Sequence, residues 1–260
     1  DLARRSATSV HTAGLLSPGP SACRRVPSAF LHPAAVHPFD LLVDTADLVL
    51  GRCCQVCGAI GPEVCARCLV GLRIGPRSIA VRTGGPGPST AVVATDYEGA
   101  ARHLVLAYKE DGHRGLARPL GTLLADAIAC LALQDPITAC SVVPIPGHRH
   151  SRRGFDALDG LVVRAQRDLA QRGIPVRIVR LLRTRSDYRP AKTLGRVDRQ
   201  RSLDGAFQAR APRAPLRRLI VVDDVITTGT TIAEGVRALA ACGIAVHGVA
   251  AITAVRRPSP

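Results

Sequence analysis

The stretch Leu219-Ile220-Val221-Val222-Asp223-Asp224-Val225-Ile226-Thr227-Thr228-Gly229-Thr230-Thr231 decides how this chain folds. Four apolar residues in a row suit a strand buried on both faces, as in a parallel sheet. Two carboxylates close that strand, a hydroxyl-rich turn with one glycine follows, and the segment from Ile232 to about Ala241 predicts a helix. The carboxyl end of a strand is where open α/β sheets bind ligands. Thr228 to Thr231 would present backbone N–H groups and hydroxyls at a helix N-terminus, an arrangement suited to a phosphate. Carboxylates beside such a cradle suit sugar hydroxyls, bridged by a hard cation such as Mg²⁺. An ordinary strand-turn-helix with a threonine N-cap has the same outline. It leaves two acids at a buried strand end without a partner, which is costly.

Working outward, Ser141-Val142-Val143-Pro144-Ile145-Pro146-Gly147 predicts a short strand running into a Pro/Gly turn, and Ile244 to Ile252 a further core strand. Three strands alternating with helices predict a doubly wound, mostly parallel sheet. Leu116, Leu120, Leu123, Leu124, Ala127 and Leu131 recur at helical spacing and form one core-facing stripe. Residues 75–89 are rich in Gly and Pro and predict a linker.

Ahead of that linker, Cys54-x-x-Cys57 and Cys65-x-x-Cys68 form two pairs seven residues apart. Each pair can clamp a metal from one tight turn, and Gly58 and Gly61 permit the sharp backbone of two such knuckles. Four thiolates match tetrahedral zinc, which would contribute directly to folding so short a segment. An iron–sulfur or redox role and incidental cysteines are the alternatives. Cys53 is spaced one residue too far from Cys57 for the paired pattern but can substitute for Cys54. Cys130 and Cys242 fall in apolar helical patterns and read as core residues, while Cys23 and Cys140 have no partner spacing. With its own core, the sheet domain is expected to survive loss of the metal.

The 260 residues suffice for one α/β domain and a small appendage, and carry a formal net charge of +15, almost all of it arginine. A basic protein attracts anionic ligands, whether phosphosugars, nucleotides or DNA. Residues 1–38 are rich in Ala, Ser, Pro, His and Arg and read as a disordered tail. They lack the apolar run of a secretory signal, so a cytoplasmic location is expected. No apolar run approaches the roughly 18 residues of a membrane span.

The strand-acid-threonine segment resembles the phosphoribosyl-pyrophosphate (PRPP) motif of type I phosphoribosyltransferases. That resemblance implies that Asp223 and Asp224 hold the ribose, as the catalytic pair, and that Thr227, Thr228, Gly229, Thr230 and Thr231 hold the 5′-phosphate. Together with the four-cysteine knot and the lead Phe39-Asp40-Leu41-Leu42, the chain resembles the ComF family, associated with bacterial competence and DNA uptake or utilisation. The likeness covers roughly residues 39 to 256. It implies an α/β, type I phosphoribosyltransferase-like fold, a mostly parallel sheet with flanking helices preceded by a small zinc-binding knot. The expected organisation is a tail over 1–38, a zinc-binding segment over 39–74, a linker over 75–89 and a phosphoribosyltransferase-like domain over 90–257.

The resemblance also implies a pyrophosphate loop of Pro144, Ile145, Pro146 and Gly147 with Arg153 and Gly154, near His148, Arg149 and Arg152. Arg153-Gly154-Phe155-Asp156-Ala157 keeps the first three residues of the family's Arg-Gly-Phe-Asn-Gln. Asp156 and Ala157 lose amide hydrogen-bonding capacity. The basic stretch from Arg180 to Arg201, which includes Arg183, Arg185, Arg189, Lys192, Arg196 and Arg199, corresponds to the hood that closes over such a site. There Ala191 and Ser202 replace the family's Gln and Asn. Tyr97-Glu98-Gly99 with the helix to Tyr108-Lys109 resembles the family's opening element, and Lys109 reads as a solvated helix-end lysine rather than a ligand contact.

Two functions follow as expectations. The first is a cytoplasmic Mg²⁺-dependent transferase, a glycosyltransferase of the pentosyl class, that displaces pyrophosphate from PRPP and holds a structural Zn²⁺. The second is a non-catalytic module binding PRPP, a nucleotide or single-stranded DNA and serving the competence machinery. The scarcity of aromatic residues, three Tyr and four Phe, weighs against a stacking platform for single strands. Neither reading includes a membrane span, and neither identifies the acceptor.

Overall fold

The structure, a computed structural model, describes residues 53–83, 87–134, 139–147, 156–185 and 203–256. The expectations for the tail, for Phe39 to Leu42, for Cys23, for the cationic turn including Arg153 and Gly154, and for the hood between Arg189 and Ser202 lie outside these residues.

Helix α1 (Ala66–Leu72) closes the cysteine segment, and strand β1 (Arg77–Ala80) and strand β2 (Thr90–Asp96) follow. Helix α2 (Gly99–Leu106) runs into a π-helical turn (Ala107–Asp111), and a 3₁₀ turn (Arg114–Leu116) leads into α3 (Ala117–Ala132). Then come β3 (Cys140–Pro144), α4 (Ala157–Gln171), β4 (Val176–Ile178), β5 (Leu182–Thr184), β6 (Phe207–Ala209), β7 (Leu219–Ile226), α5 (Thr230–Ala240) and β8 (Gly248–Ala254). The main sheet has the order β1-β2-β8-β7-β3-β4, and β5 and β6 form a separate antiparallel pair. Every pairing in the main sheet is parallel except that of β1 with β2.

The fold is thus α/β with a mostly parallel sheet, as expected, and both β3 and β8 are buried at every position. From β3 the chain crosses through α4 to β4 toward one edge. From β7, the neighbour of β3, it crosses through α5 to β8 in the other direction. With right-handed crossovers the two helices lie on opposite faces, and the strand order reverses between β3 and β7. That reversal opens a crevice at their carboxyl ends.

The boundaries differ from the sequence reading in three places. The acids do not end β7, because the strand continues to Ile226, paired with β8 through Ile226↔Ala254. Part of the expected linker is the edge strand β1, whose pairing of Arg77 with Val93 joins it to the sheet. The last strand begins at Gly248 rather than Ile244. After α5 the turn at Gly243 (φ 69°) is closed by Ile244 N–H to the Leu239 carbonyl at 3.1 Å, and the chain needs the next residues to return to the sheet.

The predicted stripe on α3 is buried throughout. Residues Arg114–Ala132, with mean hydropathy 1.3 over a qualifying window, are long and apolar enough to cross a membrane, contrary to the sequence reading. In this fold 78% of that window is buried, because α3 is the central helix between α4 and the strands β2 and β8.

Candidate active site and metal cluster

The register of β7 builds the site. Strand β3 ends at Pro144, opposite Val222, and Ile145 N–H donates to the Val222 carbonyl at 3.0 Å. Beyond that point Asp223 to Ile226 keep β8 on one side and have no β3 residue on the other. Asp223 and Asp224 are consecutive on this open stretch and their carboxyl groups interact with each other, Asp224 being the more buried of the two.

Asp224, 7% exposed, is reached by Lys109 from the π-helical turn, with Nζ 2.6 Å from Oδ2. Lys109 is exposed, as a solvated helix-end residue is expected to be, but it is paired rather than alone. Its partner is far away in sequence, and only the fold brings the two together. Asp223 is half-buried and accepts the N–H of Asp224 at 2.9 Å. Burial, reinforced by the Asp224 charge and only partly offset by Lys109, pushes the Asp223 carboxyl well above its ordinary value.

After β7, Gly229 takes the left-handed conformation (φ 79°) as the N-cap residue of α5. Thr228 and Thr230 share a hydrogen bond between hydroxyls at 2.8 Å, and Thr230 N–H lies 3.4 Å from Thr228 Oγ1. Helix α5 thus begins with a glycine cap and two hydroxyls beside its first N–H groups, which is a suitable anion cradle.

On the β3 side, a cleft of about 460 Å³ is lined by Pro146, Gly147 and Asp156 on one wall and by Arg183, Thr184, Arg185, Gln208 and Arg210 on the other. The second wall was legible only in part. Register pairs Arg183 with Gln208 and Thr184 with Phe207, so Leu182 and Phe207 turn inward while Arg183, Arg185, Gln208 and Arg210 are exposed. Arg183 is held by Gln208 Oε1 at 2.9 Å. The hairpin is seated on α5 through Glu234, 3% exposed, which accepts the Phe207 N–H at 3.1 Å and pairs with Arg237. Sequence reading grouped Arg183 and Arg185 with the hood and missed Gln208 and Arg210. Their signal was a short alternation in Phe207-Gln208-Ala209-Arg210. Asp156, where the family pattern has Asn, caps α4 by accepting from Leu158 N–H at 3.0 Å and Asp159 N–H at 3.4 Å. That role suits a carboxylate as well as an amide.

The sulfur ligand atoms of Cys54, Cys57, Cys65 and Cys68 lie within 4.8 Å of one another, so the four can hold a metal ion. Cys57 and Cys65 Sγ are 3.8 Å apart, matching the ~3.8 Å edge of a tetrahedron with metal–sulfur bonds of about 2.3 Å. Gly58 and Gly61, at φ 74° and 134°, make the turn after the first pair. Burial opposes ionisation of Cys54, but N–H groups of Cys65, Cys57 and Val56 hold its thiol at about 6. Hydrogen bonding to Cys65, with burial and the other thiols, pushes Cys68 up to about 12. One thiol ionises readily and the last does so only when a cation shares the charge. Cys53 is exposed and bridged to Ile60, outside the cluster. Cys130 is buried in α3 as expected. Cys242, expected in the core, is exposed because α5 ends at Ala240.

No family model matches the chain. It is 32% identical over 149 residues to "DNA utilization protein YhgH" of Escherichia coli O6:H1, covering 55% of this chain and 62% of that protein. It is 34% identical over 112 residues to the protein of the same name from Salmonella typhi, covering 43% of this chain and 46% of that one. The chain thus spans less than two thirds of the length of these curated relatives. Among solved structures, the orotate phosphoribosyltransferase of Aeropyrum pernix aligns with 68% of this chain and 72% of its own, at 17% identity and a TM-score of 0.28.

Proposed function

We propose that this chain is a cytoplasmic, PRPP-binding, phosphoribosyltransferase-like protein of the ComF type, linked to DNA uptake or utilisation, with a structural zinc knot. One observation carries the reading. The acid pair of β7, the glycine-capped threonine turn of α5 and the Pro-Gly turn after β3 converge at the point where the strand order reverses. The relatives named for DNA utilization support the biological setting.

In this reading the Thr227 to Thr231 turn and the α5 N-terminus take the 5′-phosphate, and Asp223 and Asp224 take the ribose hydroxyls. The arginines of the cleft stand ready for the diphosphate. Transfer forms a bond from an acceptor nucleophile to the anomeric carbon and breaks the bond to the diphosphate oxygen, which leaves with its electron pair. Mg²⁺ would screen the charge of the diphosphate. The protein's own contribution is orientation and charge stabilisation, since no residue stands out as a general base. The second reading, a phosphosugar- or nucleotide-binding module without turnover, is favoured by the loss of the family's amides at Ala157 and Ala191.

Titration with PRPP, with and without Mg²⁺, while pyrophosphate release is followed against a panel of bases and amines, tests both. Saturable Mg²⁺-dependent binding that is lost in Asp223→Asn and Asp224→Asn is expected. Binding without release for every acceptor would select the module, and normal binding by the double Asn variant would reject the site.

A further inference from the structure

Lys109 is held in an unusual way for a lysine at the end of a helix. It sits within the π-helical turn Ala107–Asp111, which ends on Gly112 at φ 78°. A π turn inserts an extra residue into the helical ladder, re-aims the side chains around it and recurs at functional sites. The neighbouring Tyr108 is 2% exposed and its hydroxyl donates to the Ala157 carbonyl at 3.0 Å. This anchors the turn to the start of α4, the same helix end that Asp156 caps beside the cleft. From that anchored backbone the Lys109 ammonium reaches Asp224, while its side chain remains 34% exposed.

The Lys109 ammonium lies on Asp224, the more buried of two adjacent acids on β7. The ammonium occupies the oxygen that a ligand's cation or hydroxyls would need. An ammonium and a divalent cation within a few ångströms repel each other strongly where water is scarce. From this we infer that Lys109 is a tethered counter-ion of the site: it holds Asp224 oriented in the free protein and competes with a divalent cation for that carboxylate. On loading, the ammonium swings off Asp224 into the crevice, where the phosphates of the ligand replace the lost partner. Lys109 is thus a positioning residue, and the inference rests on the reading of Asp224 as a ligand-binding acid.

Calorimetric or paramagnetic titration of the full chain with Mn²⁺ tests it on wild type, Lys109→Gln, Lys109→Arg and Asp224→Asn, with melting curves to establish that each is folded. Lys109→Gln is expected to bind Mn²⁺ roughly tenfold more tightly than wild type, the change produced by removing a competitor worth about 1.4 kcal/mol. Lys109→Arg should behave like wild type, and Asp224→Asn should lose the site. A folded Lys109→Gln variant with wild-type Mn²⁺ affinity would overturn the inference and leave Lys109 a structural pair. In that case Mg²⁺-dependent PRPP binding that still requires Asp224 would keep the site reading intact. If neither Mn²⁺ nor PRPP binding depends on Asp224, both fall.

Discussion

At the scale of single residues, the two acids of β7 are chemically identical and structurally different. Asp224 has Lys109, whereas Asp223 has a backbone N–H and a carboxyl that burial holds in its protonated form above the usual range. An acid raised in the folded state favours folding below the unfolded carboxylate value, about 3.9, and costs stability as pH rises through the folded value. Asp223→Asn should therefore stabilise the ligand-free protein near neutral pH, with the gain shrinking toward zero as pH falls to the ordinary carboxylate range. Denaturant melts of both proteins across that window check it. A gain that stays constant or grows in acid would show that Asp223 is not raised. The adjacency of the acids was legible in the sequence. The continuation of β7 past them to Ile226 was not, and the lysine partner came only from a contact 115 positions away, between Lys109 and Asp224.

Among the elements, the β5–β6 hairpin shows why a charged stretch is hard to read. Its apolar members are few, so the alternation of Leu182, Arg183, Thr184 and Arg185 is drowned in the surrounding arginines, yet one face buries Leu182 and Phe207 against α5. Three guanidinium groups on the other face repel one another, and an anion in the cleft would relieve that cost. Arg183→Gln with Arg210→Gln should leave the melting temperature nearly unchanged, since both are exposed. It should weaken PRPP binding at least tenfold and lessen its dependence on salt. Unchanged affinity in titrations at two salt concentrations would remove the hairpin from the site. A buried network makes the opposite case. Asp126, 4% exposed, accepts Arg73 Nε at 2.8 Å and Arg172 at 2.7 Å, and Arg172 also pairs with Asp168. Burial works against the charge of Arg172, but the two acids hold it charged. Asp126→Asn leaves two buried cations short of a partner and should lower unfolding stability by about 3–5 kcal/mol, measured by denaturant melts. Nothing in the sequence pattern singled out Asp126, which sits in the otherwise apolar run of α3 and reads there as an interruption.

For the whole molecule, the same network decides what the metal cluster does. Spacing alone made the cysteine segment an appendage with a core of its own behind it. The fold joins the two: Val64 and Leu72 belong to the common hydrophobic core, Cys68 and Leu69 pack on it, and Arg73, directly after α1, is tied to Asp126 in the central helix. Removing the metal should therefore not leave the sheet untouched. Chelation, or Cys65→Ser, is expected to lower the melting temperature of the chain as one cooperative transition and to raise amide exchange in α3 around Asp126 as well as in residues 54–72. Loading should also release protons at neutral pH, because the Cys68 thiol, held near 12 without metal, must ionise to bind, whereas Cys54, near 6, is already largely thiolate. Metal affinity should fall as the solution is acidified, since protons then compete for every ligand. If chelation loosened only the cysteine segment, with exchange in α3 and the main melt unchanged, the Arg73–Asp126 tie would carry no coupling and the segment would be the independent appendage that its spacing suggested.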